Sequence, residues 1–208
     1  AEALAVAAGA ARRAGDEVVV EEGGFGKGAA QRDAAAAALA AGADCVRLDL
    51  GGQVLVAGGC RAAAVGLASP VDRDLVVATV LVDRGSLATS GASERSLTVG
   101  GRHVNHLLDP RSGWPVADWG SVTVLADDPL TADCLATGLL VLGSDAALRW
   151  AAGEPGVEMV AARAAADGRV VLEATSGLRG RLMPSPGVRL DWFEPGGAPG
   201  AGHDGDRR

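Results

Sequence analysis

The sequence predicts an α+β fold built mainly from antiparallel strands, and three observations carry that prediction. With 208 residues, 48% of them hydrophobic, the chain is large enough for a core in one domain or in two tightly joined lobes. Short β-branched or alternating segments between about residues 60 and 126 are separated by closely spaced turn signals, which is typical of an antiparallel meander. The repeated βαβ units that indicate a parallel sheet are not apparent in this stretch.

The N-terminal part of the chain predicts two helices and three strands. An Ala-rich segment at 1–14 predicts a helix, and 17–22 predicts a short strand. The glycine-rich loop GGFGKG at 23–28 precedes a second Ala-rich helix, which is expected to end near Ala41. The segment CVRLDLGGQVLVAGG at 45–59 is typical of a β-hairpin around a Gly–Gly turn.

The C-terminal part predicts strands and helices followed by a tail. Asp128 and Pro129 supply an N-cap and a first-position proline for a helix. Residues 194–208 are Gly/Pro-rich and polar, so we expect them to form a disordered tail after a single domain at 1–193. The expected elements in order are a strand at 120–126, a helix from Pro129 to about Leu142, a short helix at 144–152 and a closing hairpin at 157–176.

Composition excludes two classes of protein. The net charge of −7 and the absence of any basic block argue against nucleic-acid binding, which needs a basic face. No stretch approaches about 18 uninterrupted apolar residues, so we expect no transmembrane segment. Neither an initiator Met nor an export signal is visible, and the sequence reads as though it begins within a longer protein.

Three cysteines, at positions 45, 60 and 134, lack the spacing of a metal site. Because an odd number is a poor disulfide framework, we expect the two that lie inside apolar runs to be buried thiols.

The glycine-rich loop has the composition of an anion site. Glycines let a ligand approach the backbone, a helix start presents unpaired N–H groups, and Lys27 adds a positive charge. The alternative is a tight turn with an exposed lysine. The Walker A pattern fails because Gly28, and not Ser or Thr, follows Lys27.

A second motif also matches the loop. The dinucleotide fingerprint G-x-G-x-x-A fits Gly24, Gly26 and Ala29, and Asp49 lies where a ribose-binding acid belongs. A Rossmann-type NAD-binding domain is therefore the runner-up hypothesis, although it requires βαβ units downstream.

The segment NHLLDPRSGWP at 105–115 combines a turn signature with an imidazole. Asp109 and Pro110 predict a loop in which the Asp109 side chain makes an Asx-type bond. His106 precedes this loop at the end of an apolar strand, where a histidine is either structural or a catalytic base.

The helix that starts at Pro129 is apolar nearly all round, yet Asp133 and Thr137 share one of its faces. A buried carboxylate is costly unless it is paired, and Mg²⁺ takes such oxygen ligands. In the alternative interpretation, Thr137 bonds back to the carbonyl of residue 133 and Asp133 pairs with an arginine.

Taken in order, these motifs resemble the ApbE-type FAD:protein FMN transferases. The resemblance covers about residues 18–145, and NHLLDPRSGWPV together with TADCLATGLLVLG is its most specific part. It implies the C-terminal portion of an ApbE-type (T-fold-like) domain, with antiparallel sheets flanked by helices and a flavin site between two lobes. Part of the N-terminal region of such a domain is expected to be missing from this sequence.

The resemblance also implies a reaction: Mg²⁺-dependent cleavage of FAD, which joins FMN to a Thr of an acceptor flavoprotein and releases AMP. His106 would be the base, and Asp133 would be catalytic as a metal ligand together with Thr137 and the Gly24 carbonyl. Lys27 would lie by the phosphates. The flavin pocket and its supporting turn would involve Thr89, Ser90, Gly91, Arg95 and Asp109. The alternatives are an FAD pyrophosphatase, which gives FMN and AMP, and a non-catalytic flavin-binding relative.

Some positions depart from the pattern of these transferases. Ala29 and Arg32 stand where an aromatic and an acidic residue are usual, whereas Gln53 is an amide at a position where an acid or amide is common. Such proteins are often exported or membrane-anchored, but without a visible signal a cytoplasmic location is equally open. The resemblance does not identify the acceptor flavoprotein.

Overall fold

The computed structural model of the chain is an α+β structure, as the sequence predicts. It describes residues 4–7, 10–13, 22–91, 96–99, 102–165 and 167–194, with the backbone alone described at 4–7, 10–13, 96–99 and 102–104. The strand expected over 17–22 lies outside the described residues except for Glu22, which is part of a 3-10 turn. Apart from Glu194, the tail expected at 194–208 also lies outside them.

Helices α2 and α3 have nearly the bounds that the sequence predicts, whereas α1 begins at Gly26, inside the segment 23–28 that was expected to be a loop. Helix α1 spans Gly26–Ala40, and helix α3 spans Ser144–Gly153. Helix α2 spans Pro129–Leu142, and it begins where expected because the Asp128 side chain accepts the Thr131 N–H at its N-terminus. None of the helices in the described part of the chain is long and apolar enough to span a bilayer.

Most of the expected strands are present, and β13 and β14 are additional. In chain order the strands are β1 (Leu4–Ala7), β2 (Ala10–Arg13), β3 (Cys45–Leu50), β4 (Gln53–Gly58), β5 (Ala63–Ala68), β6 (Val76–Val82), β7 (Gly85–Gly91), β8 (Ser96–Val99), β9 (Arg102–Asn105), β10 (Ser121–Ala126), β11 (Val157–Ala164), β12 (Val170–Thr175), β13 (Leu182–Pro184) and β14 (Arg189–Phe193).

The strands form one large sheet, one small sheet and two hairpins. The seven-stranded sheet has the order β14-β12-β11-β10-β7-β4-β3, and the three-stranded sheet has the order β13-β6-β5. All neighbours are antiparallel except β12 and β14. The meander is therefore split, because β6 and β7 belong to different sheets.

This topology contradicts the Rossmann hypothesis. The helix after the glycine-rich loop is followed by the antiparallel β3–β4 hairpin and not by a parallel strand. Asp49, the candidate ribose ligand, accepts the Gly52 N–H at 3.0 Å and so closes the turn of that hairpin. Gly51 and Gly52 have positive φ angles of 59° and 87°, which explains the Gly–Gly pair of the turn.

The large sheet is covered on both faces, which gives a three-layer arrangement. Val122 and Val124 of β10 pack against α2 and α3, whereas Leu125 faces the small sheet. All six residues of β10 are buried for this reason. A smaller cluster joins Ala35 of α1 to Val46 of β3, so α1 lies beside α2 on the helical face.

Two expectations are wrong. The helix expected at 1–14 is replaced by the antiparallel hairpin β1–β2. Gly9 divides this Ala-rich segment, which weakens a helix, and strand pairing satisfies the backbone groups of both halves.

The cysteine expectation is wrong as well. Cys45 and Cys60 form a disulfide with a Cα–Cα distance of 4.8 Å, because hairpin pairing sets Cys45 opposite Gly58, two residues before Cys60. Cys134 is a free thiol, but it is exposed.

Candidate active site

Helices α1 and α2 meet at Gly28, near the start of each helix. A β-carbon built on Gly28 would lie 2.3 Å from the Pro129 carbonyl oxygen and 2.8 Å from the Asp133 β-carbon. Packed side chains do not approach so closely, so only glycine allows this contact. The contact holds the N-terminus of α1 directly beside Asp133.

The carboxylate of Asp133 is buried, with both of its partners on α1. The residue is 3% exposed. Its Oδ2 accepts the Gly28 N–H at 2.9 Å, and its Oδ1 lies 3.4 Å from Lys27 Nζ. The partial charge of a helix N-terminus and the full charge of the ammonium together compensate the buried anion. The alternative in which an arginine pairs with Asp133 is therefore wrong, because the cationic partner is Lys27.

Thr137 lies one turn further along α2 and faces the glycine-rich loop. Its Oγ1 is 3.2 Å from Oγ of Ser90 on β7, and a β-carbon built on Gly24 would lie 3.4 Å from the same oxygen. The bond to Ser90 replaces the alternative of a bond back to the carbonyl of residue 133. The loop thus lies along α2, with Gly24 against Thr137 and Gly28 against Asp133.

The chemistry of these groups suits a hard divalent cation. Asp133 offers a carboxylate, Thr137 a hydroxyl, and Gly24 a backbone carbonyl at the residue that packs on Thr137. Oxygen ligands of this kind bind Mg²⁺, which usually keeps water or substrate phosphate in its remaining positions. Within the ranges that the structure describes, no three His, Cys, Asp or Glu side chains form a cluster, so a site built from those side chains alone has no candidate there. The ammonium at Asp133 Oδ1 is a further sign that this position accepts a cation.

A buried polar network supports the same helix contact. The Gln53 amide donates to Pro129 O at 2.9 Å and to Ser86 Oγ at 3.1 Å. The Ser86 hydroxyl donates to the Gln31 side-chain oxygen, and the Gln31 amide donates to Gln53 O at 2.6 Å. The network therefore joins α1, β4, β7 and the first residue of α2. We did not expect it from the sequence, although Gln31 follows Gly28 at helical spacing on the buried side of α1.

Successive side chains of β7 point to opposite faces of the sheet, so the residues expected around a flavin do not all face the same side. Ser90 faces α2, whereas Thr89 points to the opposite face and its hydroxyl lies 2.9 Å from that of Thr123. Gly91 is buried at the end of β7. Arg95 lies outside the described residues, so its place relative to the site is not part of the structure.

Asp109 braces the loop at 105–115. Its Oδ1 accepts the Arg111 N–H at 2.9 Å, which confirms the expected Asx-type bond, and the Arg111 guanidinium bonds both carboxylate oxygens. These hydrogen bonds from Arg111 hold the pKa of the Asp109 carboxyl below its ordinary value. The segment therefore contains a hydrogen-bonded turn.

His106 is exposed and lies directly after β9. The loop that follows it is attached to the last turn of α2, where Arg111 Nη2 donates to Val141 O at 3.4 Å. Val141 comes eight residues after Asp133, which corresponds to about 12 Å along the helix axis. Arg111 thus attaches the loop to the C-terminal end of α2, whereas Asp133 lies in the first half of that helix.

Comparisons with known proteins identify relatives of this fold. The model of the ApbE family matches residues 2–161. The FAD:protein FMN transferase of Rhodobacter capsulatus is 36% identical over 173 residues, which are 82% of this chain and 32% of that protein. The ApbE protein of Thermotoga maritima is 29% identical with a TM-score of 0.63, covering 73% of this chain and 50% of that one. The flavin transferase ApbE of Vibrio cholerae is 25% identical with a TM-score of 0.67, covering 86% and 58%.

The fold and the site define an α+β protein in which a buried carboxylate lies beside a helix N-terminus. The match of the family model over residues 2–161 identifies the family within this class: the chain belongs to the ApbE family. The chain spans about a third of the length of the Rhodobacter capsulatus relative, since the match covers 32% of that protein.

Proposed function

We propose that this chain carries the cation and phosphate part of an FAD:protein FMN transferase. In this proposal FMN passes from FAD to a Thr hydroxyl of an acceptor flavoprotein in the presence of Mg²⁺, and AMP is released. The name of the Rhodobacter capsulatus relative supports the flavin chemistry. The observation that carries the proposal is the buried Asp133 carboxylate beside Lys27 and the N-terminus of α1.

The cation would be held by Asp133, Thr137 and the Gly24 carbonyl. When bound, Mg²⁺ supplies positive charge that neutralises the diphosphate of the nucleotide. Lys27 and the first N–H groups of α1 would bind the phosphate oxygens, because a helix N-terminus favours anions. Positioning and charge neutralisation of this kind are the main requirements for phosphoryl transfer.

The flavin half of the substrate would lie towards β7. Ser90 touches Thr137, so a ligand that reaches the cation passes this hydroxyl. Gly91 would border the proposed pocket, and a role for Arg95 stays a prediction from the resemblance. Thr89 would contribute through its main chain, since its side chain points to the other face of β7.

His106 would act as the base that takes the proton of the acceptor Thr, whose hydroxyl would lie beside the FMN phosphate. The hydroxyl oxygen would form a bond to the FMN phosphorus while the bond between the two phosphates breaks, and AMP would leave. His106 is exposed beside the loop that Asp109 braces, so a second protein can reach it.

Incubation with FAD and MgCl₂, followed by chromatography for AMP, tests the proposal. We expect Mg²⁺-dependent AMP release, FMN attachment to a Thr-containing acceptor peptide, and loss of both activities with EDTA. Asp133→Ala should reduce the rate at least about a hundredfold, because it removes the anionic ligand of the cation that neutralises transition-state charge. Asp145→Ala, which changes an exposed acid in the first turn of α3, is the matched control.

The other outcomes separate the alternatives. AMP release without labelling of the peptide would indicate an FAD pyrophosphatase, with water in place of the Thr hydroxyl. Quenching of flavin fluorescence without AMP would indicate a protein that only binds flavin. An equal rate of AMP release with EDTA or in Asp133→Ala would rule out the cation site.

A further inference from the structure

The chain uses lysine at a single position. Of its 19 Lys and Arg residues, only Lys27 is a lysine. The other described ion pairs that involve Lys or Arg use arginine, for example the pair of Arg111 and Asp109. Arginine binds a carboxylate with a planar fork, whereas lysine offers a compact charge on a flexible stem. The residue beside Asp133 is thus the one lysine of the chain, and it offers its partner a compact ammonium in place of a guanidinium fork.

Lys27 lies between Asp133 and solvent. The lysine side chain is 38% exposed and the aspartate side chain is 4% exposed, with 3.4 Å between Nζ and Oδ1. The stem of Lys27 lies across the β3–β4 turn, where its Cδ is 3.7 Å from the position of a β-carbon on Gly51. The other oxygen, Oδ2, accepts the Gly28 N–H, so Oδ1 is the oxygen that faces the ammonium.

We propose that Lys27 is a displaceable counter-ion of Asp133. Its ammonium occupies the position of the divalent cation at the carboxylate, and it moves away when that cation binds. This inference rests on the proposed cation site at Asp133. Without a partner the buried carboxylate would be costly, so Lys27 stabilises the cation-free state. A divalent ion and an ammonium at one oxygen repel each other, so binding of the ion drives the side chain away.

Displacement gives Lys27 two successive partners. Its four-carbon stem and its position at the edge of the site allow the ammonium to turn towards solvent without movement of α1. The released charge then becomes available to an anionic phosphate at the same helix N-terminus. Lys27 is accordingly a positioning residue: it holds the carboxylate in the cation-free state and releases it to the divalent cation.

Titration of the chain with Mn²⁺ alone, followed by electron paramagnetic resonance of the free ion, tests this competition without any turnover. Lys27→Met should bind Mn²⁺ more tightly than the unchanged chain, by about fivefold or more, because the competitor is absent. Lys27→Arg should bind it more weakly by a similar factor, because a guanidinium holds the carboxylate in two places. Arg189→Met, which removes an exposed partner of Asp191, should leave the affinity unchanged.

A second measurement follows the ammonium itself. Reductive methylation with ¹³C-formaldehyde labels only Lys27 and the terminal amine, and it keeps the lysine charge. Added Mg²⁺ should shift the Lys27 methyl signal in a saturable way, and Asp133→Asn should abolish the shift. The signal of the terminal amine serves as an internal reference.

The outcomes distinguish this inference from the proposed function. Mn²⁺ binding that depends on Asp133 but is equal or weaker in Lys27→Met overturns the displacement and leaves the cation site intact. Mn²⁺ binding that does not depend on Asp133 overturns both. If Lys27→Met fails to fold, Lys27→Arg decides, since an affinity equal to that of the unchanged chain contradicts competition.

Discussion

Gly28 has only a hydrogen atom in place of a side chain, and this allows α1 to approach Asp133 closely. We expect Gly28→Ala to lower the free energy of unfolding by about 1–3 kcal/mol, the usual cost of overpacking, because the added methyl would meet the Pro129 carbonyl and the Asp133 side chain. Gly138→Ala on α2 is the control. Nothing lies within 4 Å of a β-carbon there, so this change should stabilise the protein by about 1 kcal/mol. Urea unfolding of both variants gives the comparison, and equal stability would show that the close helix contact is absent.

At the scale of residues, the sequence was informative where spacing along one element determines proximity. Asp133 and Thr137 share a face of α2 because they are four residues apart, and Asp109 closes its own turn because its partner is two residues away. The partners of Asp133 and Thr137 could not be found in this way. Lys27 and Ser90 reach them across the fold, and no local pattern specifies such contacts.

Buried hydrogen bonds connect the elements that carry the site, and one of them can be tested with a matched pair of serines. Ser86 is 0% exposed and bonds Gln31 and Gln53, whereas Ser144 Oγ is buried without a partner among the described residues. Ser86→Ala should reduce stability by about 1–3 kcal/mol, because it leaves buried amide atoms without a bond. Ser144→Ala should be neutral or stabilising by about 0.5 kcal/mol, since alanine also favours the helix. Thermal or urea unfolding would contradict the network if both variants behaved alike.

At the scale of elements, strong local signals predicted α2 and the β3–β4 hairpin nearly to the residue, whereas α1 begins within the glycine-rich segment that was expected to precede it. Strands β13 and β14 escaped prediction because they are short, and β13 ends in a proline. Their stability comes from pairing with β6 and β12, which are distant in sequence. The hairpin β1–β2 was missed for the opposite reason, since its alanines favour a helix locally and the pairing overrides that preference.

At the scale of the whole molecule, the helices, the large sheet and the small sheet form three layers in the described part of the chain. Composition alone does not predict this arrangement. The division of the expected meander between two sheets arises from packing, because β6 and β7 are adjacent in the chain yet contribute to opposite sides of one core cluster. The class α+β was predictable from periodicity, whereas the strand order was not, because it depends on which faces become buried together.

The disulfide gives a prediction at this largest scale. It joins β3, at the edge of the seven-stranded sheet, to the segment that follows β4. The bond between Cys45 and Cys60 spans 15 residues, and a loop of that length corresponds to about 3 kcal/mol of stabilisation in the chain-entropy model. A reductant such as TCEP, or replacement of both cysteines by serine, should therefore lower Tm. Cys134→Ser should leave Tm nearly unchanged, since this thiol is exposed. An unchanged Tm with reductant, or three titratable thiols in the untreated protein, would contradict the crosslink.

The same bond also makes the stability of the molecule depend on the redox state of its surroundings. Paired sulfurs persist in secretory and periplasmic surroundings, whereas glutathione and thioredoxin keep such cysteines as thiols elsewhere. Formation of the Cys45–Cys60 bond therefore depends on an oxidising environment. A preparation from an ordinary reducing expression host would then lack the crosslink until air or an oxidase closes it.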